Sequence, residues 1–283
     1  MKTTNTKTKA FTLIELLVVI AMIGLLSSIV LVSTRGSKIK AQIAKGLQFS
    51  QSLHNSLGAY AVGVWGLDGN VLDSSGLKMD GTISGNISWA DDGIVNQAAQ
   101  FNGGRIYVNE LTSIPEDMSF SGWFRKNTDS WDSIAFLGKR SSTTGWMLYR
   151  NSGDPVGYFR WYSHYVTTAG AISTYYAWPG ISGLRVGEWY HIVITRTSTG
   201  ATTLYLNSNV VRTYNPPINF REWSTNTYGV SIGSERAGST SWSCIGAQID
   251  EVRIYSQALS QSQIQQQYVE GLKIHSNLVL LDK

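Results

Sequence analysis

The chain has 283 residues, 15% of them charged, with 10 Trp, 14 Tyr and a single cysteine. That length holds one large domain plus a smaller element, and the aromatic-rich, charge-poor balance excludes a disordered chain and suits an extracellular β-rich domain. The formal charge of +4 at pH 7 sits at the start: without Lys2, Lys7 and Lys9, 20 basic residues face 19 acidic ones, which excludes nucleic acid as a partner.

Residues 1–10, MKTTNTKTKA, are polar and basic, and residues 11–32 follow as FTLIELLVVIAMIGLLSSIVLV. These 22 residues carry one charge, Glu15, and as a helix they span about 33 Å, the thickness of a bilayer core. No A-x-A site follows Val32, so the stretch reads as a spanning helix and not as an ordinary secretory signal. An uncleaved signal anchor is the competing reading, and Glu15 separates the two. A carboxylate at the centre of a spanning helix costs about 2.5–3.5 kcal/mol, less near an end, and marks a pairing site. The span itself contains no base. A cut between Ala10 and Phe11 would create an α-ammonium at Phe11, one helical turn before Glu15 and on the same face. The pair can then close within one helix or between neighbouring helices.

Past the span, Ile39, Ile43, Leu47, Ser50, Leu53 and Leu57 recur every three or four residues, which predicts an amphipathic continuation ending at Gly58. From Phe11 to Leu57 the rod would measure about 70 Å. Arg35, Lys38, Lys40 and Lys45 follow the span, so bases flank both its ends and give no orientation.

The run KAFTLIELLVVIAMIGLL resembles the processing and methylation motif of type IV prepilins and of the pseudopilins of type II secretion. The resemblance implies that a prepilin peptidase cuts between Ala10 and Phe11 and methylates the new amine of Phe11. It also implies that Glu15 neutralises the N-terminal amine of a neighbouring subunit during assembly. The chain would then start as a single-pass protein of the bacterial inner membrane, with its C-terminal domain outside, and end in a cell-surface filament with other pilin subunits. Two departures stand out. Ala10 replaces the family's usual Gly, and Val32 stands about where many pilins have a kink-forming proline.

After Tyr60 the texture changes to short alternating apolar runs broken by Gly, Asn, Asp and Ser, the pattern of an antiparallel sandwich. Predicted strands are 61–67, 98–101, 105–108, 118–125, 134–137, 146–149, 157–162, 188–196, 203–206, 230–232 and 248–255. Tyr190, Ile192 and Ile194 alternate with Trp189, His191 and Val193, and both sets are apolar or aromatic, so this strand is expected to be central. Ser260 with Gln263 reads as a capping box opening a short helix. Cys244 has no partner for a disulfide or a CxxC metal site and reads as a small buried apolar residue.

The phrases LDGNVLDSSG, AAQFNGGRIYV, MSFSGWFR, GEWYHIVITR, LYLN and IDEVRIYSQALSQSQIQQQY resemble laminin-G-like, concanavalin A-like jelly-roll modules of bacterial surface proteins, in the family's order. The expected layout is a leader (1–10), a transmembrane and amphipathic pilin-like helix (11–58), an all-β antiparallel jelly-roll sandwich (59–271) and a C-terminal tail (272–283).

Catalysis is not expected. Glycosidases need two carboxyl groups at a fixed separation, and the enzymes of this fold place them in an ExDxE or ExDxxE run that this chain lacks. Asp250 and Glu251 are adjacent, so a regular strand would send them to opposite faces, and the four histidines show no metal-ligand spacing. No cofactor is required; the resemblance allows a structural calcium ion at Asp68, Asp73 and Asp250, against the plainer reading of each Asp as a turn cap.

Ligand contact is expected from aromatics on loops, in the segment 160–180 with Trp161, Tyr162, Tyr165, Tyr175, Tyr176 and Trp178, and from Trp223 and Trp242. The aromatics of GWFR and EWY are read as core or sheet-covering residues. Together these features predict a non-catalytic, minor pilin-like subunit whose head binds a surface glycan or glycoprotein. The alternative is a type II secretion pseudopilin with a cargo-handling head; a membrane-anchored glycan hydrolase comes third.

Overall fold

The computed structural model describes residues 13–24, 44, 48, 52, 55–112, 115–128, 134–140, 145–150, 159–166, 172–181, 183–215, 229–234 and 244–279. The chain divides into two compact units, Met1–Lys45 and Gly46–Lys283. In the first, residues 13–24 form a helix, α1, containing Glu15 and with Leu13, Ile14, Leu16, Leu17, Ile20 and Ile23 exposed. Among the described residues no helix is long and apolar enough to cross a membrane. Ala10, Phe11 and most of the expected rod lie outside the described residues.

The second unit contains, among the described residues, fourteen strands and a terminal helix. In chain order the strands are β1 (Ala61–Trp65), β2 (Thr82–Ser84), β3 (Ile87–Ala90), β4 (Ala98–Val108), β5 (Met118–Lys126), β6 (Ile134–Arg140) and β7 (Gly145–Arg150). They continue with β8 (Phe159–Val166), β9 (Ile172–Ile181), β10 (Trp189–Arg196), β11 (Thr202–Leu206), β12 (Asn209–Tyr214), β13 (Val230–Ile232) and β14 (Cys244–Tyr255), followed by α2 (Gln261–Val279). The hydrogen-bonded path runs β12-β11-β10-β5-β14-β4-β13-β6-β7-β8-β9, with β1 added to β14 and β2 and β3 to β4. Every pairing is antiparallel.

β4 links the two layers of the sandwich, the first running β12-β11-β10-β5-β14 and the second β13-β6-β7-β8-β9. Its first half pairs with β14 and its second half with β13. The crossing falls at Gly103, whose φ of +92° lies in the left-handed region, and at Gly104, where a Cβ would meet Asn86 O at 2.6 Å. The sequence places two separate strands at 98–101 and 105–108 because this bend interrupts the alternation; the structure joins them into one.

The layers close on a core rich in rings. Phe136 meets Phe120 and Phe124 edge-on at 5.4 and 5.8 Å, and Phe124 meets Phe159 at 5.0 Å. Trp146 stacks on Trp161 at 5.5 Å, and Cys244 is buried in the same cluster, as expected of it. Offset and edge-on contacts of this kind add about 0.5–1.5 kcal/mol each to area burial.

The other face of the first layer is also covered. Trp123, Trp189, Ile94 and Val95 pack with Ile274 of α2, and Val193, Tyr205 and Tyr255 pack with Leu57 and Ile264. This explains why both faces of β10 are apolar or aromatic. Ser260 and Gln263 make the expected reciprocal cap, Ser260 N donating to Gln263 Oε1 at 2.8 Å. The helix they open is not short: it runs through the expected boundary at 271, and Ile274 and His275 belong to the packed head, not to a free tail.

Gly271 is what lets α2 lie this close, because a Cβ there would come within 2.5 Å of Trp123 Cζ2. Gly271→Ala should therefore lower stability by about 1–3 kcal/mol in denaturant unfolding, the range for overpacking a tight contact. An unchanged midpoint would show that Trp123 yields freely.

Candidate functional site

β14 pairs with β5 along one edge, while its other edge changes partner partway along: residues 244–249 pair with β4, residues 252–255 with β1. At the handover the register shifts between Asp250 and Arg253, and Glu251 takes a left-handed φ of 52°. The bulge defeats the simple alternation expected of Asp250 and Glu251. Both are buried, at 0% and 5% exposure.

Their carboxylates do the work of the missing ladder. Asp250 Oδ2 accepts from Ile94 N at 2.7 Å and Val95 N at 3.2 Å, and its Oδ1 accepts from Glu251 N at 2.8 Å. Asp68 Oδ1 accepts from Gln97 N at 3.0 Å, and its Oδ2 from Asn96 Nδ2 at 3.3 Å. The turn between β3 and β4 is thus held from both sides. Glu251 is ion-paired with Arg253. A Cβ on Gly66 would lie 3.6 Å from Glu251 Oε1 and 3.7 Å from Asp68 Oδ2, so these two carboxylates flank the space a side chain would fill.

Three carboxylates thus lie together in a poorly hydrated place, and the Arg253 guanidinium pairs with one of them, Glu251. Burial first, and the Glu251 charge second, push Asp68 up to about 7. Asp250 is raised well above the usual carboxylate range by burial and then by the Glu251 and Asp68 charges. Burial also raises Glu251, against the opposing pull of Arg253.

The calcium set expected from sequence does not come together. Asp73 spends both oxygens inside its own loop, accepting from Val64 N, Ser75 N, Ser75 Oγ and Met79 N at 2.7–3.0 Å, the turn-cap reading. Asp68 and Asp250 do approach each other, with Glu251 as the third member. Among the described residues no group of three or more His, Cys, Asp or Glu has the arrangement to hold a metal ion. From sequence, Glu251 is weighed only as a neighbour of Asp250, which leaves out its pairing with Arg253, for which the i, i+2 spacing within IDEVRIY is the available signal.

The expected ligand aromatics are also relocated. The segment 160–180 is no loop: β8 and β9 form a hairpin in which Tyr162 faces Tyr176 and Ser163 faces Tyr175 in register. Trp161 and Tyr162 are only 2% and 5% exposed. The first stacks in the core and the second meets Tyr149 edge-on at 6.2 Å, so neither is a ligand contact. A strand turns alternate residues inward, which consumes such aromatics as packing. Tyr165, Tyr175, Tyr176 and Trp178 have their backbones on these strands, and Trp223 and Trp242 lie outside the described residues. Trp123 and Trp189 cover the sheet under α2 as expected.

Two antiparallel layers with one helix-covered face define a lectin-like sandwich. The chain belongs to the concanavalin A-like lectin/glucanases superfamily, whose family model matches residues 97–265. The prokaryotic N-terminal methylation motif matches residues 5–31, so the prepilin-type start and the lectin-like domain read from sequence stand in one chain. No curated protein matches the chain. Among solved structures, domain 4 of AbnA, a GH43 extracellular arabinanase from Geobacillus stearothermophilus in complex with arabinotriose, is similar. It shares 20% identity and a TM-score of 0.58 over 74% of this chain and 98% of that one. The receptor binding domain of botulinum neurotoxin type G is similar at 14% identity and a TM-score of 0.53, over 74% of this chain and 51% of that one. The binding domain of botulinum neurotoxin serotype D follows at 15% identity and 0.54, over 76% and 52%. The chain spans about half the length of these neurotoxin domains, and likeness at such identity shows the fold.

The raised Asp68 has a defined pH signature. Its folded value lies above its unfolded one, so its contribution is fully present below about 3.8 and is lost as pH rises towards about 7. Asp68→Asn should therefore gain on the wild type across this window and exceed it at pH 8, measured by chemical unfolding in chelator. A difference independent of pH would contradict the assignment.

Proposed function

We propose that this chain is a subunit of a type IV pilus or related filament, whose head binds a surface glycan or glycoprotein without catalysing a reaction. One observation carries the reading: a methylation motif at 5–31 and a lectin-like domain at 97–265 share a chain. The motif implies cleavage by a prepilin peptidase and assembly with other pilins. In that picture residues 11–32 cross the inner membrane before assembly, and the head stands outside. A head of this bulk favours a minor subunit over one repeated along the whole filament.

Glu15 carries the assembly step. Once Ala10 is cut away, the Phe11 amine and the Glu15 carboxylate neutralise each other in an apolar surrounding, where an unpaired carboxylate is costly. The pairing sets the register between neighbouring helices, because each amine has one acid to reach.

The outer face of the first layer is occupied by α2 and Leu57, so the ligand surface is assigned to the second layer and its rim. Tyr175, Tyr176 and Trp178 of β9, at the end of the strand path, are the proposed contacts, with Trp223 and Trp242, outside the described residues, as further candidates. The arabinanase domain, of the same fold, is described in complex with arabinotriose, which supports a saccharide as the ligand class. Flat rings stack on sugar C–H groups while their polar edges hydrogen-bond the hydroxyls.

Two measurements test the reading. Glu15→Val should still be cleaved yet yield few sheared filaments; normal filament yield would remove the pairing role. On a glycan array, filaments carrying Tyr176→Ala or Trp178→Ala should lose roughly 2- to 10-fold in signal, from about 0.5–1.5 kcal/mol per ring contact. No binding by the wild type would defeat the glycan reading.

A further inference from the structure

His191 lies on the outer face of the first layer, 1% exposed, beneath α2. Its ring centroid is 4.9 Å from that of Trp123 on β5 and 6.2 Å from that of Tyr268 on α2, and Trp123 stacks on Tyr268 at 5.8 Å. The imidazole is therefore enclosed by the rings of β5 and α2, and its Nδ1 has no hydrogen-bond partner among the described residues. From β14 the charged group facing it is Arg253, itself paired with Glu251. β5 adds the uncharged Ser121 opposite Arg253 in register, and α2 adds Tyr268 and Gln267, the latter bonded to Tyr255 Oη at 3.1 Å.

We propose that His191 makes α2 an acid-released strap over the first layer. The docked helix tolerates only the neutral imidazole, because a proton on the ring would be buried against aromatic faces and beside a guanidinium. Lifting α2 exposes the ring to water, where it takes up a proton readily. Burial first, and Arg253 second, hold the docked value near 3, against 6.5 for a solvated imidazole. The sign follows: the strap is fully stable above about 6.5 and weakens as pH falls below it, since only the lifted state binds the proton.

The strap also holds the point where the chain enters the head. Ser52 Oγ donates to Glu270 Oε1 of α2 at 3.3 Å, and Leu57 packs with Ile264. Acid release of α2 would therefore break the Ser52–Glu270 bond and the Leu57–Ile264 contact while Leu57 keeps its packing on Val193, Tyr205 and Tyr255, and β14, inside the strand path, stays paired. The device is a pH-sensitive joint. It operates between mildly acidic and neutral conditions, and it requires no ligand.

Hydrogen exchange of the full chain in detergent, read by mass spectrometry at pH 7.5 and 4.5 and scaled for intrinsic rates, tests this. Peptides from Gln261–Val279 should lose roughly 100-fold in protection at pH 4.5, one decade for each pH unit below 6.5. Peptides from Cys244–Tyr255 should keep theirs. His191→Phe and His191→Gln should each remove most of the loss in α2, leaving the smaller part that His275 of α2, also lowered by burial, contributes. Equal losses in α2 and β14, no loss at all, or an undiminished loss in either folded variant would overturn the proposal. Should neither variant fold, the wild-type pH slope and the contrast between the two peptides decide it.

Discussion

The head depends on a discontinuity in one strand. β14 sits between β5 and a second edge that changes from β4 to β1 at Asp250. A ladder that changes partners leaves amides without strand acceptors, and buried amides must be satisfied. Here the acceptors are carboxylates: Asp250 takes the amides of Ile94 and Val95, and Asp68 takes that of Gln97. The bulge at Glu251 makes room for this, and Arg253 balances part of the charge. The same side chains that complete the fold are buried beside one another, and burial first, with the Glu251 charge second, displaces the titration of Asp68.

The arrangement also divides the head by use. The outer side of the first layer is covered by α2 and by Leu57. Arg125, ion-paired with Asp92, lies over the Trp189 ring, and His275 Nδ1 lies 3.1 Å from Gly93 O, so the β3–β4 turn is bound to α2 as well as to the carboxylates. One face of the first layer is therefore committed to packing. His191, enclosed in the committed layer, makes that packing sensitive to acid.

Much of this was legible in the sequence, and the misses have a common cause. Strands buried on both faces, such as β5, β10 and β14, announce themselves by dense apolar alternation. The four strands overlooked lie at edges: β9 and β12 end the path, and β2 and β3 attach to β4 beside it. An edge strand needs no two-sided burial, and β12 is exposed along nearly its whole length. β9 also contains Pro179, which a terminal strand tolerates and an interior one does not. At the rim, Asp68 and Asp250 were rightly linked across the chain, since their segments meet. Asp73 is the turn cap that the plainer reading makes it, while Glu251 escapes alternation through a bulge that no pattern of residue types reveals.

The proposed assembly turns on a proteolytic cut that creates an amine at Phe11 for the Glu15 carboxylate to neutralise. The most direct measurement is the mass of the N-terminal peptide of the chain recovered from assembled filaments. The account predicts a peptide beginning at Phe11 and carrying one extra methyl group. Filaments built from chains that still begin at Met1 would contradict it.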